Sequence, residues 1–141
     1  MRAHRTKLIV VAGLLLAACG GGGNDDTPGE TGSTGARPSS TAKLSIVDPK
    51  VDQVVHGSSV ELLVRLGDAK LVPVTTTDIV PGEGHLHVIL DDTLISMTQG
   101  LEQRIPDVPA GEHRITVEFV ASDHAPFDPR VVSVVAFEVK P

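Results

Sequence analysis

The chain has 141 residues, 40% of them hydrophobic and 2% aromatic, with 18 acidic against 12 basic residues and a net charge of −6. That length suits one domain of ordinary size behind an export segment and is too short for two. An acidic surface repels nucleic acid, and with no tryptophan, no tyrosine and three phenylalanines there are no stacking platforms for bases, so nucleic acid is not expected as a partner.

Residues 1–7 carry Arg2, Arg5 and Lys7, residues 8–18 are apolar and uncharged, and Leu16-Ala17-Ala18-Cys19-Gly20 follows. A basic start, an apolar run shorter than the roughly 20 residues a spanning helix needs, and small residues before a cleavage point describe an export signal over residues 1–18. Leu-Ala-Ala-Cys resembles the lipobox of bacterial lipoproteins in residue type, spacing and position. The resemblance implies that Cys19 becomes the first residue, diacylated on sulfur, and that the protein partners the membrane through that lipid. Several acyl chains anchor stably where one does not. Gly20 after the cysteine, by resemblance to enteric lipoproteins, implies the outer membrane of the bacterial cell envelope, with the domain facing the periplasm or the cell surface.

Taking Arg2, Arg5 and Lys7 from the 12 basic residues leaves 9 against 18 acidic ones, a net charge of −9 without the leader. With Cys19 lipidated no thiol remains, which removes disulfides, cysteine nucleophiles and the cysteine-containing copper site of cupredoxins. Residues 19–41 are rich in Gly, Ser, Thr, Pro and Asp. Such a stretch cannot bury enough surface to order itself and reads as a flexible tether with a reach of about 25 Å.

Residues 42–141 read as an all-β domain, because valine-rich runs of strand length recur between turn clusters. Strands are expected at 43–47, 59–66, from about 85 to 90, 94–98, 112–121 and 131–139, with short pieces at 70–74 and 103–105, 75–84 as a connection and 122–130 as a Pro-rich loop. Leu86, Val88 and Leu90 alternate with His85, His87 and Ile89, and Ile115, Val117 and Phe119 with Arg114, Thr116 and Glu118. About seven short strands in about 100 residues imply an immunoglobulin-like Greek-key β-sandwich. Asp91-Asp92 reads as a strand terminator. Val-Pro-Ala-Gly-Glu-His-Arg-Ile-Thr-Val at 108–117 resembles the corner at which immunoglobulin-like domains enter their penultimate strand, with His113 in place of the usual tyrosine. That implies a structural corner residue, hydrogen bonded to nearby backbone. Together with Gly-Glu-Gly-His-Leu-His at 82–87 and Asp-His-Ala-Pro at 123–126, the corner resembles small exported bacterial domains, which implies fold and location and no particular activity.

In such a sandwich the strand bearing His85 and His87 begins where the penultimate strand ends, so both should lie near the loop carrying Asp123, His124 and Asp128. His113 falls about 30 Å away. A zinc or copper site would use His85, His87 and His124 with Asp123, Asp128 or Glu83 as an oxygen ligand. The competing reading makes His85 and His87 half-exposed residues of a sheet face with ordinary hydrogen bonds, and needs no cofactor.

Copper-zinc superoxide dismutase, another exported sandwich with a His-x-His strand, needs more histidines and a disulfide than this chain has. Ser122, Asp123 and His124 are adjacent and cannot converge as a catalytic triad does, and no Gly-x-Ser-x-Gly elbow, phosphate loop or dinucleotide fingerprint occurs. No enzyme is expected. Val132, Val134 and Ala136, beside Val120 and Ile89, form an unusually apolar outer face that suits a protein partner or self-association. The reading is a lipid-anchored binding or structural module of the envelope; the alternative is a periplasmic zinc or copper binder.

Overall fold

Period-two burial organises the chain. In the computed structural model, which describes residues 36–73 and 78–141, there are nine strands, and in the longer ones buried residues alternate with less buried ones, as over residues 60–64 and 131–139. They are β1 (Lys43–Asp48), β2 (Gln53–His56), β3 (Val60–Gly67), β4 (Lys70–Leu71), β5 (Glu83–Leu90), β6 (Thr93–Thr98), β7 (Glu102–Ile105), β8 (Gly111–Ala121) and β9 (Pro126–Lys140). Residues 1–35, on which the expected leader, the expected lipidation of Cys19 and most of the expected tether fall, and residues 74–77 lie outside the described residues.

One sheet has the order β1-β3-β7, and the other β2-β9-β8-β5-β4, with β6 also paired to β5. β4 runs beside the first residues of β5 and β6 beside the rest. Val60, Leu62 and Val64 of β3 face Leu86 and Val88 of β5, Ile115, Val117 and Phe119 of β8, and Val135, Phe137 and Val139 of β9 in one buried cluster. Each such side chain contributes about 1.5–3 kcal/mol on leaving water. Phe119 stacks on Phe127 with ring centroids 5.4 Å apart. Two facing sheets with these crossovers make an immunoglobulin-like Greek-key β-sandwich.

There are nine strands among the described residues, against about seven read from the sequence. β2 is too short to show a period and exists by pairing in parallel with the end of β9. β9 starts at Pro126, inside the expected loop, because Pro126 pairs with Val120 across an irregularity in the ladder and Phe127 is buried. Prolines are tolerated in strands at such irregularities. The ordered domain also begins before residue 42. Arg37 donates four hydrogen bonds to the β8–β9 turn, two to the Asp123 carboxylate and one each to the Ala125 and Pro126 carbonyls, and Asp128 N–H donates to the Pro38 carbonyl.

Candidate metal centre

β5 and β8 are antiparallel neighbours in which Gly84 faces Ala121, His85 faces Val120 and His87 faces Glu118. The start of β5 therefore meets the end of β8, and the β8–β9 turn hangs over the outer-face side chains of His85 and His87. Gly84 is required by this closeness: a Cβ there would lie 1.9 Å from the Val120 carbonyl oxygen. The turn is closed by His124 N–H donating to the Ala121 carbonyl and Ala121 N–H donating to that of Ala125. Its last residue, His124, has φ +65°. A side chain there costs about 1–2 kcal/mol, and glycine would be the easy choice.

Three imidazoles meet as a result. His85 Nε2 lies 3.1 Å from His87 Nε2 and 3.2 Å from His124 Nδ1, and one nitrogen from each ring fits within a span of 4.8 Å. Tetrahedral ligands about 2.0–2.1 Å from a zinc ion are separated by about 3.3–3.4 Å, close to the two short separations. His85 is fully buried, His87 half-buried and His124 exposed, so the cluster opens outward from a dry base.

Burial, with His87 and His124 close by, pushes the His85 pKa down to about 4 against a weaker opposing pull from Asp123. Burial and His124 lower that of His87, against Glu118. Both rings are therefore neutral at physiological pH, the form in which imidazole ligates metal. Nδ1 of His85 is buried with no hydrogen-bond partner among the described residues. A histidine kept for ordinary structural hydrogen bonding has its buried nitrogens paired. His85 is thus buried, where the competing reading has it half-exposed, while its Nε2 lies at hydrogen-bonding distance from His87 and His124.

Two of the expected oxygen ligands are engaged elsewhere and the third is exposed. Asp123 is not part of the cluster: Arg37 Nη1 and Nη2 donate to its two oxygens at 2.6 and 3.0 Å, and this pairing first of all holds its carboxyl below the usual range. Glu83 pairs with Lys70 at 3.3 Å, and Asp128 is exposed and docks through its backbone to Pro38. Glu118, which the sequence marked only as an outer-face residue, is buried opposite His87 and takes two hydrogen bonds from Arg130, at 2.6 and 2.5 Å. Two arginine-clamped carboxylates thus flank the imidazoles. Arg37 was hidden by its tether-like neighbourhood; Glu118 was legible from the β5–β8 register once both strands were paired.

His113 lies outside the cluster. Its Nε2–H donates to the Pro109 carbonyl at 2.9 Å, its Nδ1–H to Asp91 at 2.6 Å, and its ring lies against Phe137. Ser122, Asp123 and His124 diverge, Ser122 toward the Asp78 carbonyl, Asp123 toward Arg37 and His124 toward His85. A concavity of about 410 Å³ beside Val47, Glu61, Leu63 and Glu102 is bordered by no histidine. On the outer face Val132 and Val134 are exposed as expected, whereas Val120 is buried.

No protein-family model matches the chain, and no curated relative does. Among solved structures it is similar to the fibronectin(III)-like modules of Clostridium thermocellum CbhA, at 20% identity over 69% of this chain and 94% of that one, with a TM-score of 0.49. It is also similar to the PKD domain of human KIAA0319, at 20% identity over 80% and 93% of the two chains, with a TM-score of 0.42. At this identity the likeness is one of fold. The protein's own topology and site define an immunoglobulin-like sandwich with a three-histidine cluster at one end.

Proposed function

We propose that this is a lipid-anchored protein of the bacterial envelope whose sandwich binds a transition-metal ion through His85, His87 and His124, and that it is a binding module and not an enzyme. The observation that carries the metal reading is the meeting of three ring nitrogens from two separate elements, two of them in neutral rings and one on a fully buried side chain. One proton on His85 Nε2 satisfies at most one neighbour well, whereas a cation accepts all three lone pairs. Three imidazoles suit zinc or copper better than a hard cation.

The anchored, exported location is supported by the basic start, the apolar run and Leu-Ala-Ala-Cys at residues 16–19. The non-enzymatic reading is supported by the divergence of Ser122, Asp123 and His124 and by the arginine clamps, which leave neither carboxylate available as a general base.

Calorimetric titration of the purified protein with zinc and with copper, beside a His85→Ala, His87→Ala double variant, tests the metal reading. One ion bound per chain and lost in the variant is expected; equal binding by both proteins removes it. Mass spectrometry of the amino terminus tests the anchor, with a lipid-modified Cys19 expected and an unmodified one contradicting it.

A further inference from the structure

β6 borders the histidine cluster on the side away from β8. Across the turn at Asp91-Asp92, Leu90 pairs with Thr93 and Ile89 with Leu94, but Val88 then pairs with Ser96 and His87 with Met97. Ile95 is an extra residue in β6. Plain counting from the turn would set Met97 opposite Leu86, facing the core; the bulge instead sets it opposite His87, on the outer face. Bulges are a recognised device for re-aiming a side chain next to a site. Residues directly opposed in an antiparallel pair share a face, with Cβ atoms about 4.5–5.5 Å apart, so Met97 stands beside His87. It is 53% exposed, an apolar side chain held half in water. On the other flank the oxygen donors Glu118 and Asp123 are clamped by Arg130 and Arg37. The register thus sets one thioether-bearing residue on the strand next to His87, beside the three imidazoles.

We infer that Met97 is the fourth ligand and that the site is built for copper, as Cu(I), in preference to zinc. Thioether sulfur is a soft, neutral donor that favours Cu(I) and adds little to the binding of zinc. The unbranched methionine side chain spans a strand spacing and adapts to the ion. The inference rests on the three-histidine reading above.

Anaerobic titration with Cu(I) in competition with bicinchoninate, beside zinc in competition with a chromophoric chelator, compares the wild-type protein, purified in detergent, with Met97→Leu and His87→Ala. Met97→Leu conserves volume at an exposed position, and its unfolding midpoint serves as the check on folding. Met97→Leu is expected to weaken Cu(I) binding by about tenfold or more while zinc affinity stays within about twofold, and His87→Ala to weaken both. Unchanged Cu(I) affinity in Met97→Leu, with His87→Ala still impaired, overturns the role of Met97 and leaves the three-histidine site standing. An equal loss for both metals in Met97→Leu marks a packing effect and overturns it too. A wild-type protein that binds neither metal overturns this inference together with the reading beneath it.

Discussion

His85 Nε2 and His87 Nε2 stand 3.1 Å apart although their residues occupy one face of one strand. Same-face neighbours on a strand have Cα atoms about 6–7 Å apart, so the two rings lean together. The third ring comes from the turn between β8 and β9, which lies beside the other two because β8 ends where β5 begins. Fold and site are linked at that junction: the pairing that buries Leu86 against Phe119 also carries His124 over His85.

Gly84 makes the junction possible. Gly84→Ala places a methyl group against the Val120 carbonyl, which is backbone and cannot turn aside. Chemical denaturation should show a loss of about 1–3 kcal/mol, the scale of overpacking. Gly82→Ala, whose nearest neighbour is the Asp68 carbonyl at 4.0 Å, should cost less than about 1 kcal/mol. Equal losses at the two positions would contradict this account of the motif.

His124 occupies a backbone conformation that disfavours side chains, with φ +65°. His124→Gly should leave stability unchanged or raise it by up to about 1 kcal/mol, relief of strain being offset by a freer unfolded chain. Metal affinity should fall at least about tenfold with the lost ligand. Denaturation and metal titration on the same variant separate the two effects, and a variant as tight as wild type for metal would remove His124 from the site.

Arg37 binds the turn that presents His124 without belonging to the cluster. Arg37→Ala, or a chain begun at Ala42, should weaken metal binding by about tenfold with all three ligands intact, as residues that orient ligands do. Affinity equal to wild type in both would show that the turn holds its shape unaided.

His113 and Asp91 make a pH-dependent contribution at the far end of the domain. Burial opposes the charge on His113, but the bonds to Asp91 and to the Pro109 carbonyl outweigh it, and the pKa is raised. Burial likewise opposes ionisation of Asp91, and the bonds from His113 and from Arg114 N–H outweigh that, lowering its pKa. The histidine's share is full below its unfolded pKa of about 6.5 and is lost as pH rises through the raised folded value. The aspartate's share is present above about 3.9 and is lost as pH falls through the lowered one. The difference in unfolding free energy between wild type and His113→Gln should therefore be largest between about pH 4 and 6.5 and shrink as the pH rises through the raised folded value. A difference independent of pH would contradict the pairing.

Much of this was legible in the sequence where a single period governs a single strand. Alternation located β3, β5 and β8, and antiparallel logic brought His124 to His85 and His87. The misses arise from effects between elements. β2 exists only by pairing with β9, and Arg37 gives no sign in its own neighbourhood that it binds Asp123, which removed that residue from the ligands. The register of β6 depends on one extra residue, Ile95, that no periodicity announces, and with it the placing of Met97 beside His87. The burial of His85 also escaped, since an outer-face position on an edge-near strand ordinarily stays wet.

X-ray absorption at the zinc edge of the zinc-loaded protein tests the central claim, the three-histidine site, most directly. Three imidazoles in the first shell, about 2.0–2.1 Å from the ion, are predicted, with one fewer in His124→Gly. A first shell of oxygen donors with no more than one imidazole, unchanged in that variant, would contradict it.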